Sequence, residues 1–257
     1  MDRIDQVAAR GFGRAADEYE RGRPGYPQRA IDWLARTLGI AQESTVVDLG
    51  AGTGKLTRAL IPTRARVVAL EPVAAMRRKL AEMVPEARVV AGRAEVIPLR
   101  DESVDAAVAG QAFHWFDAPA ARREIHRVLR PHGGLGLIWN IRDRSVAWLA
   151  SLYEILDPFD CRDRAHIYRS GHWRQAFDGD QLFTPLAQRS FRYEQVVDAE
   201  TFLTQVASMS FVAAAPESER RRLLRRVEGL LRSHPSTAGR PQIVVSYGTR
   251  VYWCRKR

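Results

Sequence analysis

Val46-Val47-Asp48-Leu49-Gly50-Ala51-Gly52-Thr53-Gly54-Lys55-Leu56 is the stretch on which the fold turns. A short apolar run ends in an acidic residue, breaks into three glycines at alternate positions and resumes as a helical pattern. This is a buried strand running through a glycine turn into a helix, the context in which a ligand reaches the backbone at the carboxyl edge of a parallel sheet. A Walker loop would need glycine where Leu49 stands and Ser or Thr where Leu56 stands. A dinucleotide fingerprint would need glycine at Lys55. What remains is Asp-x-Gly-x-Gly-x-Gly. The Asp48 carboxylate would repel a pyrophosphate there and suit the cationic amino-acid end of a ligand.

Working outward, apolar runs at Thr45 to Leu49, Arg66 to Leu70, Ala87 to Ala91, Val104 to Gly110 and Gly134 to Trp139 read as strands. Helical patterns separate them at Gly54 to Ile61, Val73 to Val84 and Pro119 to Leu129, after an earlier helix from Pro27 to Leu38. Such alternation predicts right-handed crossovers and an α/β, doubly wound, mostly parallel sheet covered on both faces. Beyond Asn140 the rhythm changes to helices at Ser145 to Leu156, Ala199 to Ser208 and Glu217 to Arg232. Strand-like runs follow at Arg189 to Val197 and Gln242 to Cys254. The expected organisation is one domain: a lid segment over 1–28 that includes a helix at Ile4 to Glu20, a ligand-binding core over 29–140, and cap helices with completing strands over 141–257.

Composition narrows the partners. The 257 residues carry a formal charge of +10 from 40 basic and 30 acidic residues. Of the basic residues only Lys55, Lys79 and Lys256 are lysines, leaving 37 arginines. The excess is spread over both halves, so nucleic acid is not the expected partner, and Arg220-Arg221-Arg222 with Arg225 and Arg226 reads as a solvated helix face. No stretch approaches a membrane span and the start is not a signal peptide, so a cytoplasmic location is the default expectation. Cys161 and Cys254 make neither a disulfide framework nor a metal cluster. His166 and His172 have no partnering ligands, so no metal site is expected.

The glycine loop is followed by Leu70-Glu71 at the end of the second strand and by Gly92-Arg93-Ala94-Glu95-Val96-Ile97-Pro98-Leu99 after the third. Together these resemble the class I S-adenosylmethionine-dependent methyltransferases of the ubiquinone-biosynthesis type. The resemblance covers about Ser44 to Asn140. Phe12-Gly13-Arg14-Ala15-Ala16-Asp17-Glu18-Tyr19, Arg23-Pro24-Gly25-Tyr26-Pro27, Gln111-Ala112-Phe113-His114-Trp115-Phe116-Asp117 and Arg127-Val128-Leu129-Arg130-Pro131 are similar to a subgroup akin to trans-aconitate-type enzymes acting on small molecules. The resemblance implies a seven-stranded sheet with its last strand antiparallel and S-adenosyl-L-methionine as cofactor. It places Asp48, Gly50, Ala51, Gly52 and Gly54 at the methionine end, Glu71 on the ribose, Ala94 and Glu95 beside the adenine, and Gln111 as a further contact.

Methyl transfer from a sulfonium needs alignment, exclusion of water and, for a protonated nucleophile, a base. His114 is the candidate catalytic base, and the alternative for it is a packing residue that fixes the Trp115-Phe116 turn. Tyr19, Tyr26, Trp115, Trp139 and Arg142 are the candidate acceptor-binding residues. Arg142 and Arg144 could clamp an anionic small-molecule acceptor bidentately. Two other functions fit the same motifs: an RNA or protein methyltransferase, and a non-catalytic cofactor-binding regulator.

Overall fold

The computed structural model describes residues 20, 22–160 and 172–257. Tyr19, Cys161, His166 and the expected first helix before Glu20 lie outside the described residues.

The first described helix, α1 (Gln28–Leu38), is set up by Pro27, whose ring holds φ at −64° just ahead of it. Ala30, Ile31, Leu34, Ala35 and Leu38 are buried along one face, and Gly39 ends the helix at φ 72°, a left-handed conformation that suits glycine. The chain continues through β1 (Thr45–Leu49), α2 (Lys55–Leu60), β2 (Arg66–Leu70), α3 (Ala74–Met83), β3 (Arg88–Val90) and β4 (Val104–Gly110). A 3-10 turn, Phe113–Trp115, precedes α4 (Ala118–Val128) and β5 (Leu129–Arg142). Then come α5 (Ala147–Asp160), α6 (His172–Gln175), β6 (Ala187–Val197), α7 (Ala199–Ala207), α8 (Ser210–Ala213), α9 (Glu217–Ser233) and β7 (Ile243–Arg255).

The strands form one seven-stranded sheet in the order β3-β2-β1-β4-β5-β7-β6. Pairs β1/β2, β1/β4, β2/β3 and β4/β5 are parallel. β7 runs the other way: Gly133 accepts from Lys256, and ten residues on Asp143 donates to Ser246. The doubly wound expectation, with an antiparallel last strand, therefore holds. Central strands read as continuous apolar runs because both faces are covered: β1 and β2 bury all but their first residue. β5 is longer than its apolar run predicts. It starts at Leu129, opposite Val104, and continues after a register shift past Pro131 and a left-handed His132 at φ 64°.

The described residues fall into two compact units, with boundaries at Pro24/Gly25, Asn140/Ile141, Phe191/Arg192 and Gly248/Thr249. One unit holds β1 to β4 and most of β5. A core of Ile31, Leu34, Leu38, Val46, Leu56, Leu60, Val108 and Ile138 fastens α1 and α2 to its strands. The other contains α5, α7, α8 and α9, around Trp148, Leu152, Phe202, Val206, Val227 and Val245. On α9, Leu223, Val227 and Leu231 point inward. Arg221 and Arg232 lie outward, paired with Glu217 and Glu228. This is the pattern of a solvated amphipathic helix. Among the described residues no helix is long and apolar enough to cross a membrane, and no group of His, Cys, Asp or Glu could hold a metal ion.

Candidate cofactor and acceptor sites

The glycine loop hangs from the end of β2. Gly50 and Ala51 both donate to the Leu70 carbonyl, at 2.8 and 3.1 Å, which turns the chain back over the carboxyl edge of the sheet. Gly50, Gly52 and Gly54 have φ of 65°, 60° and 91°. At two of them space also excludes a side chain: a Cβ on Gly50 would lie 2.9 Å from the Ala112 Cβ, and one on Gly54 would overlap Leu80.

Two carboxylates organise this loop. Asp48 is fully buried, and its Oδ2 accepts from the Thr57 hydroxyl at 2.6 Å. Its Oδ1 is equally buried and has no hydrogen-bond partner. Burial pushes the Asp48 carboxyl up to about 7. The Thr57 hydrogen bond opposes that rise and the neighbouring Glu71 charge adds to it. Glu71, 5% exposed, accepts from the Gly52 amide at 2.9 Å and the Val73 amide at 2.8 Å. Its carboxyl is also raised by burial, with those two amides and Arg77 acting against the rise. Glu71 thus braces the glycine loop itself, a role its position at the end of β2 did not reveal. Each of its oxygens keeps a second lone pair for a ligand hydroxyl. Thr57, three residues past Gly54, was missed at the sequence level. Its only signal was a small polar residue on the buried face of a short helix.

The segment after β3 is held by α4. Glu124 accepts from the Ile97 amide at 2.8 Å, and Arg127 donates to the Ile97 and Leu99 carbonyls at 2.8 and 2.9 Å. Glu95 accepts from the Asp117 amide at 2.9 Å, where Asp117 caps α4. Glu95 is therefore anchored at the helix start, while Ala94 is buried. Glu124 and Arg127 hold the Ile97 to Leu99 backbone that follows, a role that neither their i,i+3 spacing nor the motif beginning at Arg127 shows.

At the end of β4, Gln111 takes a left-handed φ of 57°, and its Nε2 donates to the Asn140 carbonyl at 3.2 Å. A Cβ on Gly110 would fall on the Tyr26 hydroxyl, so the tyrosine packs directly over this strand end. Asn140 ties that arrangement together: its Nδ2 donates to the Gly25 carbonyl and its Oδ1 accepts from the Thr249 hydroxyl, both at 2.7 Å. His114 and Trp115 sit half-buried on the 3-10 turn, their rings 5.1 Å apart. Trp139, expected to contact the acceptor, is 1% exposed, packed 4.7 Å from Trp173 and 5.8 Å from Tyr252, with its indole N–H on His114 Nδ1 at 3.3 Å. It stands on the inward face of β5, and a ring of that size on a central strand joins the core. A cleft of about 460 Å³ in the same unit, lined by Arg174, Phe177, Asp180, Phe183, Tyr252 and Arg257, includes none of the predicted site residues.

The other unit holds Arg142, and the two arginines after β5 differ sharply. Arg144 is spent: it pairs with Asp157 at 2.8 Å and covers the Tyr153 ring at 3.8 Å. Arg142 lies 5.5 Å from the Phe202 ring and 5.9 Å from the Tyr247 ring, with Nη1 3.7 Å from the Met209 sulfur. Its Nε is buried without a hydrogen-bond partner. Tyr247 donates to Gln205 at 3.3 Å. Burial raises its phenol, against the pull of Arg142 and Arg23.

Comparison with known proteins agrees with this geometry. The family model of a methyltransferase domain matches residues 47–137. The chain is 39% identical over 240 residues to an uncharacterized methyltransferase of Mycobacterium tuberculosis, across 93% of this chain and 92% of that one. It is 31% identical over 131 residues to a malonyl-[acyl-carrier protein] O-methyltransferase of Pseudescherichia vulneris, about half of each protein (51% and 52%). Among solved structures, a candidate type II methyltransferase from Anaeromyxobacter dehalogenans superposes with a TM-score of 0.69 at 26% identity, covering 91% of this chain and 97% of that one.

Proposed function

This chain belongs to the class I S-adenosylmethionine-dependent methyltransferases, and from that premise we propose that it methylates a small organic acceptor bearing an anionic group. The observation that carries the cofactor half is the buried, unpartnered Asp48 Oδ1 beside a loop of positive-φ glycines. A buried carboxylate oxygen without a donor is costly, and a ligand ammonium placed there removes the cost. When bound, S-adenosylmethionine supplies the methyl electrophile and a thioether leaving group. Asp48 would hold its amino end, Gly50 to Gly54 would admit its backbone-like portion, Glu71 would accept from the ribose, and the α4-braced segment around Ala94 and Glu95 would flank the adenine. Tyr26, Gln111 and Trp115, at or just after the end of β4, would complete its wall.

For the acceptor half, Arg142 is the supporting residue. A half-buried guanidinium beside two aromatic rings, a thioether and the Tyr247 hydroxyl, with its Nε buried and without a hydrogen-bond partner, keeps donors to offer a planar anion. The relative named for O-methylation of malonyl-[acyl-carrier protein] and the motifs similar to trans-aconitate-type enzymes point to the same chemistry. A carboxylate nucleophile would need no base. Transfer would then break the sulfur–methyl bond, form an oxygen–methyl bond and leave the proton balance unchanged.

Calorimetric titration with S-adenosylmethionine and its demethylated product tests the first half, and saturable heat with both is expected. Incubating the enzyme with a metabolite extract and methyl-labelled cofactor tests the second. Label in a small acid or its ester supports the reading, whereas label confined to RNA or protein overturns it.

A further inference from the structure

Of the two carboxylates at the glycine loop, Glu71 is met by the fold on both oxygens, Oε2 by the Gly52 amide and Oε1 by the Val73 amide. Asp48 is left half satisfied. It is fully buried, and its partners across the sheet are Ala69 of β2 and Val108 of β4, neither of which carries a charge. From α2 comes Thr57, also fully buried, whose hydroxyl donates to Oδ2 at 2.6 Å. From the end of β2 comes Glu71, the charged group that acts on Asp48, and its sign is the same. The positive charge of Arg77 acts on Glu71. Among the described residues Asp48 has no ion pair, and its Oδ1 is buried without a hydrogen-bond partner. A carboxylate so placed carries a high desolvation cost, most of which the neutral acid avoids. Burial and the Glu71 charge outweigh Thr57 and carry the carboxyl to about 7. A ligand ammonium reverses that balance, because it brings both the counter-charge and the donor that Oδ1 lacks.

We propose that Asp48 stands as the neutral acid in the free protein and releases its proton to solvent when it pairs with the ammonium of S-adenosylmethionine, so that binding of the methyl donor is coupled to loss of one proton. The neutral acid and the ammonium become a carboxylate–ammonium pair and one solvated proton, so charge and protons balance. The proposal deepens the proposed function and rests on it for the identity of the ligand. Affinity for the donor then weakens as pH falls below 7, because Asp48 must lose a proton that it holds more tightly. Methyl transfer leaves the amino end of the donor unchanged. Asp48 therefore stays ionised through the reaction and recovers its proton when the demethylated product leaves.

The test is calorimetric titration of the full chain at pH 6 with S-adenosylmethionine and with its demethylated product, in buffers of differing ionisation enthalpy. At that pH the α-amino group of either ligand is already an ammonium, so the protons counted come from the protein. Release of about 0.9 of a proton per ligand bound is expected with both ligands, since they share the amino end, and affinity should be about fivefold tighter at pH 7 than at pH 6. In Asp48→Asn the proton count should fall to near zero. Heat that is the same in every buffer for the unaltered protein overturns the proposal without any variant having to fold. A count undiminished in Asp48→Asn overturns it as well. No heat with either ligand overturns the proposed function, and the coupling with it. An infrared difference spectrum between the ligand-free protein and Asp48→Asn at pH 6 reads the proton before any ligand is added. The carbonyl band of a protonated carboxyl is expected there, and its absence overturns the proposal whether or not the ligands bind.

Discussion

The glycine loop and the neighbourhood of Arg142 are built on opposite principles. In the first, two buried carboxylates, Asp48 and Glu71, stand among backbone amides. In the second, a guanidinium stands among Phe202, Tyr247 and Met209 with one N–H buried and unpartnered. Each leaves one buried polar atom, Asp48 Oδ1 in the first and Arg142 Nε in the second, without a hydrogen-bond partner. An acceptor oxygen suits the ammonium end of the proposed methyl donor, and a donor N–H suits the proposed anionic acceptor. The two regions also belong to different compact units.

The strongest way to break the contrast is to fill the loop. Gly54→Ala must take a positive φ and push into Leu80, a fully buried side chain. A loss of about 3 kcal/mol in thermal or denaturant unfolding is expected, together with loss of cofactor binding. Asp48→Asn keeps the shape and removes the charge. Calorimetry should show cofactor affinity lowered by about tenfold to a hundredfold, and an unchanged affinity would remove Asp48 from the site.

The same carboxylate makes a pH prediction. Its folded value, about 7, lies above the ordinary 3.8, so the native state binds the proton more tightly than the unfolded chain does. The stabilisation is present at low pH and is lost as pH rises toward and through 7. Between pH 7 and about 5.5, the unaltered protein should gain about 1.5 kcal/mol of stability relative to Asp48→Asn, measured by denaturant unfolding of both at each pH. Parallel curves would mean that Asp48 is ionised in the folded protein.

Arg142→Met should leave cofactor affinity unchanged while raising the KM for an anionic acceptor by about tenfold or more. The smallest effect is expected two residues on. Arg144→Ala removes a largely exposed ion pair with Asp157 and should change stability by no more than about 0.5 kcal/mol, with transfer kinetics unaltered. If the two arginines gave equal kinetic effects, the distinction drawn between them would fail.

Much of the cofactor side was legible before any coordinates. Asp48, the glycines and Glu71 lie at strand ends that the alternation of apolar runs locates to within a residue or two, because a covered parallel strand leaves a continuous apolar signature. The braces were not legible. Thr57 on Asp48, Glu124 and Arg127 on the Ile97 to Leu99 backbone, and Asn140 on Gly25 join residues whose sequence separation carries no periodic signal. The acceptor side was harder still. Arg142 and Arg144 look alike in a chain with 37 arginines, and only packing shows one paired and the other held between rings.

By itself, then, the order of residues determined the α/β winding and the place of the glycine loop, while the antiparallel last strand came only from the family resemblance. The first two follow from local rules: strand and helix periodicity, glycine where φ must be positive, and an acidic residue at a strand end. Only the tertiary structure decided that Trp139 is buried among Trp173 and Tyr252, and that Arg144 pairs with Asp157 while Arg142 lies beside Phe202, Tyr247 and Met209. Those outcomes depend on burial and on partners brought from distant parts of the chain, where desolvation and hydrogen-bond direction, rather than spacing, set the result.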